Sequence, residues 1–262
     1  MAKPMAILLG AVTLGALASG CDREKDIVGL QPKGLNLSGN WEFSTTSTVP
    51  EMPPVTIAGN MAQSGGSLNG VVHVDGSNCF DQQTAIHLTG ELADSNISLT
   101  SASVAGQIIT LTGSVTDTTL AGTYAIHGGC ANGDQGNVGG FRVPPISGRW
   151  RFNLESRSEE MWIGSAMLTQ GSASSEGSFG VTGTAEINLR CFSGTVTAGA
   201  FPYPSYIVGR SVVIKIDTGD GTLVFHGTVD QARKQIIGHY QVVGGRCNGE
   251  GGRAWLWRFP VG

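Results

Sequence analysis

The chain has 262 residues, of which 40% are hydrophobic, 14% are charged and 40 are glycine. This composition is typical of a globular protein rather than a disordered one, and the glycines follow no collagen-like period. A formal net charge of -4 leaves no basic stripe to neutralise a row of backbone phosphates, which argues against nucleic-acid binding.

The N-terminal residues have the pattern of an export signal. Lys3 precedes an apolar run over residues 5–17 that is too short to span a bilayer. Small residues lead from this run directly to Cys21, and the arrangement resembles the lipobox of bacterial lipoproteins. The resemblance implies that residues 1–20 are a signal peptide that is removed and that Cys21 becomes acylated, with palmitate among its chains. A secretory signal that is cleaved off together with Cys21 is the alternative.

Acylation of Cys21 would anchor the protein in a membrane of the bacterial envelope, exposed to the periplasm or the cell surface. Several acyl chains give stable anchoring, because each buried methylene adds about 0.8 kcal/mol. Asp22 resembles the signal that keeps lipoproteins of enteric bacteria in the inner membrane, and the choice between inner and outer membrane stays open. Residues 21–36 are polar and aperiodic, which predicts a tether.

The rest of the chain consists of two related halves. The phrase LSGNWEF at residues 37–43 recurs as ISGRWRF at residues 146–152. Because self-similarity at this spacing indicates tandem domains, we predict a first repeat at 37–145 and a second repeat at 146–262.

Both repeats have the alternation of short β-strands, and no useful amphipathic helix is predicted in the mature chain. Residues 107–115 and 222–229 are examples in which apolar side chains recur at every second position. The pattern gives eight strands per repeat, with residues 207–217 forming one of them. Since closure removes exposed strand edges, we predict an all-β fold of two tandem antiparallel up-and-down barrels. Two β-sandwiches are the alternative.

The Gly-x-Trp of each phrase resembles the opening strand of lipocalins and their calycin relatives. In that group a basic residue of the last strand packs over the tryptophan at the closed end of the barrel. Arg142 and Arg258 stand at matching places, so the resemblance implies that Trp41, Arg142, Trp150 and Arg258 close the two barrels. Calycin-like barrels can hold a small apolar ligand, whereas a filled barrel of avidin-like length is the alternative. The chain also resembles uncharacterised envelope lipoproteins built from such repeats.

The facing of the last strand decides whether the arginines can have this role. Trp255, Trp257 and Phe259 alternate along it, so they share one face. If that face is the core, Arg258 points to solvent and cannot stack on Trp150. The sequence leaves the facing open for both arginines.

Four cysteines follow Cys21. Cys79 and Cys130 lie in the first repeat, and Cys191 and Cys247 lie at corresponding places in the second. The correspondence favours one disulfide within each repeat among the three possible pairings, and an exported protein meets an oxidising compartment. No two cysteines have the spacing of a zinc knuckle, so no metal site is predicted.

The clearest difference between the repeats lies at residues 198–206, where Phe201, Tyr203 and Tyr206 stand among prolines. Aromatic side chains on a proline-stiffened loop suit contact with a ligand or partner. A lid over the barrel end, or a surface packed on the first repeat, is the alternative.

The sequence contains no arrangement of side chains that indicates a reaction. No matched histidine pair recurs between the repeats, and no Ser-His-Asp set can be assembled. We therefore predict a non-enzymatic interaction or structural module without a cofactor, bound to the membrane through Cys21 and to an envelope protein. A carrier of a small apolar ligand is the alternative, and an envelope hydrolase is a second one.

Overall fold

A computed structural model of the chain describes residues 34–189, 192–198, 204–230 and 234–259. The predicted signal peptide, Cys21, Asp22 and most of the predicted tether lie outside these residues. The described part is built from β-strands, and it holds no helix that is long and apolar enough to cross a membrane.

The first repeat forms a closed antiparallel barrel of eight strands. Every strand pairs with the next one along the chain, and β1 also pairs with β8, so the sheet has no open edge. The strands are β1 (Gly39–Ser47), β2 (Thr56–Ser64), β3 (Ser67–Asp75), β4 (Ile86–Ala93), β5 (Asn96–Ser101), β6 (Ile108–Val115), β7 (Thr119–His127) and β8 (Gln135–Arg142).

The second repeat closes in the same way. Its first strand, β9, pairs with both β10 and β17, and β10 continues to β11. The strands are β9 (Gly148–Ser156), β10 (Met161–Ala173), β11 (Phe179–Leu189), β12 (Phe192–Ala198), β13 (Ser205–Val208), β14 (Ser211–Asp217), β15 (Thr222–Asp230), β16 (Gln235–Val243) and β17 (Gly251–Arg258).

Strands β12 and β13 together occupy one position of the second barrel. β10 covers one edge of β11, so β12 and β13 pair end to end along its other edge, and both then pair with β14. The prediction of a single strand over residues 207–217 is wrong, because a turn at Gly209 and Arg210 separates β13 from β14. The barrel therefore has eight positions, which confirms the tandem barrels and excludes the sandwiches.

The repeated phrase seals one end of each barrel. In the first barrel Trp41 is only 2% exposed, and its Nε1 donates a hydrogen bond to Leu37 O at 2.6 Å. The side chain of Gln63 accepts from Leu37 N at 2.8 Å, and Gln63 N donates to Ser38 Oγ at 3.0 Å. The polar atoms of the phrase are thus satisfied around a buried indole.

The second barrel repeats these contacts. Trp150 Nε1 donates to Ile146 O at 2.8 Å, the side chain of Gln170 accepts from Ile146 N at 3.1 Å, and Gln170 N donates to Ser147 Oγ at 2.8 Å. Two distant sequence segments therefore build the same local structure, as expected for a duplication.

Arg142 and Arg258 lie over the glycines of the two phrases. Gly39 and Gly148 have φ of 138° and 133°, and a Cβ atom on either would come within 3.3 Å of the facing arginine side chain. Each arginine donates to the main-chain carbonyl of the serine in the phrase. Stacking of the arginines on the tryptophan rings stays a prediction.

The last strand, β17, faces the core with its small and aliphatic residues. Ala254 and Leu256 are 0% and 5% exposed, whereas Trp255 and Trp257 are partly exposed. Arg258 follows Leu256 by two positions and so belongs to the inward face, at the end of the barrel. Because the tryptophans face outward, the Arg258 side chain can lie across the repeated phrase.

A tyrosine and a carboxylate support the Asn-Gly turn at the other end of the last hairpin in each barrel. Tyr124 OH donates to Asp134 Oδ1 at 2.9 Å, and Tyr240 OH donates to Glu250 Oε1 at 3.3 Å. Burial raises the pKa of Tyr124, and the hydrogen bond to Asp134 raises it further. Burial likewise raises the pKa of Tyr240, with the charge of Glu250 adding to the effect.

These shifts predict a loss of stability in alkali. A free tyrosine ionises near pH 10, so above about that pH the unfolded chain releases protons that the native state retains, and the free energy of unfolding falls. The double variant Tyr124→Phe, Tyr240→Phe should have a flatter pH dependence of this free energy between about pH 9 and 11. Urea titrations across this range measure it, and an unchanged slope would contradict the prediction.

Candidate binding groove between the barrels

The turn between β13 and β14 rests on the outer face of β1. Asn40 Nδ2 donates to Gly209 O, and Asn40 Oδ1 accepts from Gly209 N, both at 2.8 Å. The amide side chain thus pairs with the peptide group as a neighbouring strand would. Gly209 has a φ of 53°, and a Cβ on it would lie 2.6 Å from that of Ala58, so only glycine fits this contact.

An ion pair holds the same turn. The Glu42 carboxylate accepts from Arg210 N at 2.7 Å and from Arg210 Nε at 2.8 Å, and Arg210 Nη2 lies 2.7 Å from Glu42 Oε1. The Glu42 side chain is 6% exposed and that of Arg210 is 41% exposed. The guanidinium also lies 5.3 Å from the centre of the Phe141 ring. A buried carboxylate needs such partners, since leaving it unpaired is costly.

A second contact joins the barrels through the turn between β10 and β11. His73, on the outer face of β3, has its Nε2 2.7 Å from Glu176 O. Its Nδ1 lies 3.2 Å from Gln82 O of its own repeat. The shorter of these two contacts is the one that joins the first repeat to the second.

A groove of about 570 Å³ runs between these two contacts, and we call it the inter-barrel groove. Residues of both repeats line it. Among the described residues, its walls carry hydroxyls, side-chain amides, carboxylates and a tyrosine ring. Representative lining residues are Thr56, Asp75, Gln82, Gln83, Ser178 and Tyr206. A groove of this size accommodates a small-molecule ligand.

The interior of the second barrel offers far less room. The cavity that its described residues enclose measures about 30 Å³ and is lined by apolar side chains such as Phe152, Phe225 and Leu256. This is the space of about one water molecule. In its described part the second barrel thus matches the filled alternative of the sequence analysis.

The predicted aromatic contact segment is described only in part. Tyr206 is half-buried in β13 and lines the inter-barrel groove. Phe201 and Tyr203 lie outside the described residues. Tyr206 thus lies where the two repeats meet, and the contact of this segment with a ligand or partner stays a prediction.

The disulfide of the first repeat is confirmed. Cys79 and Cys130 are bonded, with their Cα atoms 5.5 Å apart, in the usual range for a disulfide. Cys247 is also disulfide-bonded. Its predicted partner, Cys191, lies outside the described residues, so that pairing stays a prediction.

The residues that join the barrels were not predicted from the sequence. The signal was present in the repeated phrase, whose two copies differ at outward-facing positions. Asn40 and Glu42 are buried against the second repeat, whereas Arg149 and Arg151 at the same positions are exposed. A difference at positions that face away from the core is typical of an interface present on one copy only.

Comparisons with known proteins assign no family to the chain. No protein-family model matches the chain, and no curated protein matches it. Among solved structures, kievitone hydratase from Nectria haematococca aligns over 87% of this chain and 91% of its own, with 13% identity and a TM-score of 0.22. A similarity at this level carries no functional information.

The contact between the barrels can be tested at Glu42. Gln in its place keeps the shape but removes the charge that holds Arg210, so the turn should undock more often. We expect the amide protons of Gly209 and Arg210 to exchange about tenfold faster, corresponding to a loss of about 1–2 kcal/mol. Hydrogen exchange measured by NMR gives both rates.

The matched control is Arg151→Gln, at the equivalent exposed position of the second repeat. It should leave the exchange of both amides unchanged. Equal effects of the two substitutions would show that the ion pair does not hold the turn.

Proposed function

We propose that the chain is a non-enzymatic binding protein that holds a hydrophilic ligand in the inter-barrel groove. The observation that carries this proposal is the contrast between a groove of about 570 Å³ and a barrel cavity of about 30 Å³. The fold is consistent with a calycin-like binder, but the usable volume lies outside the second barrel. A carrier of an apolar ligand needs a cavity of about 300 Å³ or more.

The lining favours a saccharide. Gln82, Gln83 and Ser178 offer amide and hydroxyl groups that match a ligand rich in hydroxyls. The half-buried ring of Tyr206 offers a flat apolar surface for one face of a sugar ring. Asp75 adds a negative charge, while the charge of Arg210 is neutralised by Glu42, so the groove disfavours an anionic ligand.

Two of the three carboxylates that line the groove already accept hydrogen bonds from the protein. Glu42 is occupied by Arg210 at both oxygens. Asp75 Oδ1 accepts from Gly76 N at 2.7 Å and from Gln82 Nε2 at 2.5 Å. Carboxylates held in this way are poorly placed to exchange protons with a substrate.

An array of neutral oligosaccharides tests this proposal, with Tyr206→Ala as the variant. We expect the parent protein to bind at least one saccharide and Tyr206→Ala to bind it about tenfold more weakly, because the stacking surface is lost. Trp257→Ala, which removes a partly exposed aromatic residue outside the groove lining, is the control. An apolar molecule retained in native mass spectrometry, with no saccharide bound, would favour the carrier instead.

We also propose that this binding protein is held at an envelope membrane by acyl chains on Cys21. The lipobox resemblance of the N-terminal residues supports this part, and an envelope protein is a further partner to expect at such a place. Cys21→Ser should move the protein from the detergent phase to the aqueous phase in a phase-separation assay. Unchanged partitioning would refute acylation while leaving the groove untouched.

A further inference from the structure

Three polar side chains form a row across the outer face of the second barrel. His226 on β15 lies opposite His239 on β16, and His239 lies opposite Arg253 on β17. All three are exposed. Directly opposed side chains on one face have Cβ atoms about 5 Å apart, so the three head groups can reach one small ligand. We call this set the His–Arg row.

The first barrel has neutral residues at the same places. The glycine pair Gly113 and Gly122 of β6 and β7 corresponds to the pair Gly227 and Gly238 of β15 and β16, which fixes the equivalence of the two surfaces. The residues that match the row are Thr112, Thr123 and Asn137. The row is therefore not required by the barrel fold.

The side chains of the row have no partners within the described part of the chain. In the first barrel the hydroxyls of Thr112 and Thr123 lie 3.2 Å apart and bond to each other. In the second barrel no side-chain hydrogen bond or ion pair involves the two histidines or Arg253 among the described residues, although Glu155 lies opposite Arg253 on β9. A set of unused donors is thus presented to solvent.

The row forms one wall of a shallow groove of about 590 Å³. The other wall carries Thr228, Ile237 and Trp255, which are likewise opposed across the strands. The two walls are two residues apart along each strand, or about 7 Å. A ligand in this groove would meet nitrogen donors on one side and an apolar surface on the other.

We propose that the His–Arg row binds an oxyanion, a phosphate or a carboxylate, of a ligand whose apolar part rests on Trp255. Each imidazole offers an N–H donor and Arg253 offers a planar charged fork, a geometry that suits phosphate and carboxylate oxygens. A metal ion fits less well, because the permanent charge of Arg253 stands beside His239. Among the described residues, moreover, no three His, Cys, Asp or Glu side chains could hold a metal.

The row adjoins the inter-barrel groove but does not depend on its function. Ser211 and Thr228 line both places. The residue that tests the inter-barrel groove, Tyr206, is not part of the row. Saccharide binding and oxyanion binding can therefore fail separately.

The first barrel supplies the variant that tests the row. In the Cys21→Ser chain, which lacks the proposed acylation site, the row is replaced by the first-barrel residues through His226→Thr, His239→Thr and Arg253→Asn. Phenyl phosphate and inorganic phosphate are then titrated by calorimetry. We expect one site on the parent chain, tighter binding of phenyl phosphate than of inorganic phosphate, and about tenfold weaker binding to the triple variant. Equal binding to parent and variant would overturn the proposal.

The reverse exchange is the second measurement. Thr112→His, Thr123→His and Asn137→Arg should create a second phosphate site on the first barrel and leave the original one in place. Should the triple variant of the second barrel not fold, Arg253→Asn alone carries the comparison. The proposal would also be overturned if the reverse exchange created no second phosphate site and Arg253→Asn left phosphate binding unchanged.

Binding to lipid vesicles distinguishes a lipid headgroup from a soluble ligand as the source of the oxyanion. Retention on phosphatidylglycerol vesicles but not on phosphatidylcholine vesicles, lost in the triple variant, identifies a lipid headgroup. Phenyl phosphate binding without retention identifies a soluble ligand, and both results support the site. Zinc binding that is lost in the triple variant, without phosphate binding, would overturn it in favour of a metal site.

Discussion

The pairing of the first strand with the last strand of the same repeat is the constraint on which both barrels depend. β1 is hydrogen-bonded to β2 and β8, and β9 is hydrogen-bonded to β10 and β17. Each of these first strands carries the repeated phrase, whose inward tryptophan fills the end of the barrel. In the first repeat the outward side of the same strand receives the second barrel. In the first repeat a single strand therefore takes part in closure, in core packing and in the contact with the second barrel.

The two repeats agree where side chains face inward and differ where they face outward. Trp41 and Trp150 make the same hydrogen bond at the same place. On the outer side, Glu42 corresponds to Arg151, and only the former is buried. Packing leaves little freedom inside a small barrel, because a change of volume there costs stability. On the outer surface, one repeat carries the contact site for the other barrel, and the second repeat carries the hydrogen-bond donors of the His–Arg row.

The sequence predicts those parts of the structure that depend on periodicity and repetition. The alternation of apolar residues predicts the strands, the repeated phrase predicts two barrels, and the matched cysteines predict the disulfide between Cys79 and Cys130. The sequence does not predict which side chains lie opposite each other on neighbouring strands. Alternation places His226 on a polar face, but its position opposite His239 depends on a register that the intervening turn sets. The turn at Gly209 was missed because apolar residues lie on both sides of it and read as one continuous strand. The core-facing positions in fact change from odd numbers, such as Ile207, to even numbers, such as Val212.

The contact between the barrels joins two unlike surfaces, a turn of the second repeat and a strand face of the first. An association of this kind has no built-in end, because each molecule that accepts a turn could also offer one, and such contacts can generate filaments. The chain contains a block to this growth. The strand face of the second repeat has Arg151 where an incoming Arg210 would need a carboxylate, and the corresponding turn of the first repeat has Asp94 and Ser95 in place of Gly209 and Arg210. The duplication thus forms one pair of barrels and opposes the addition of a third.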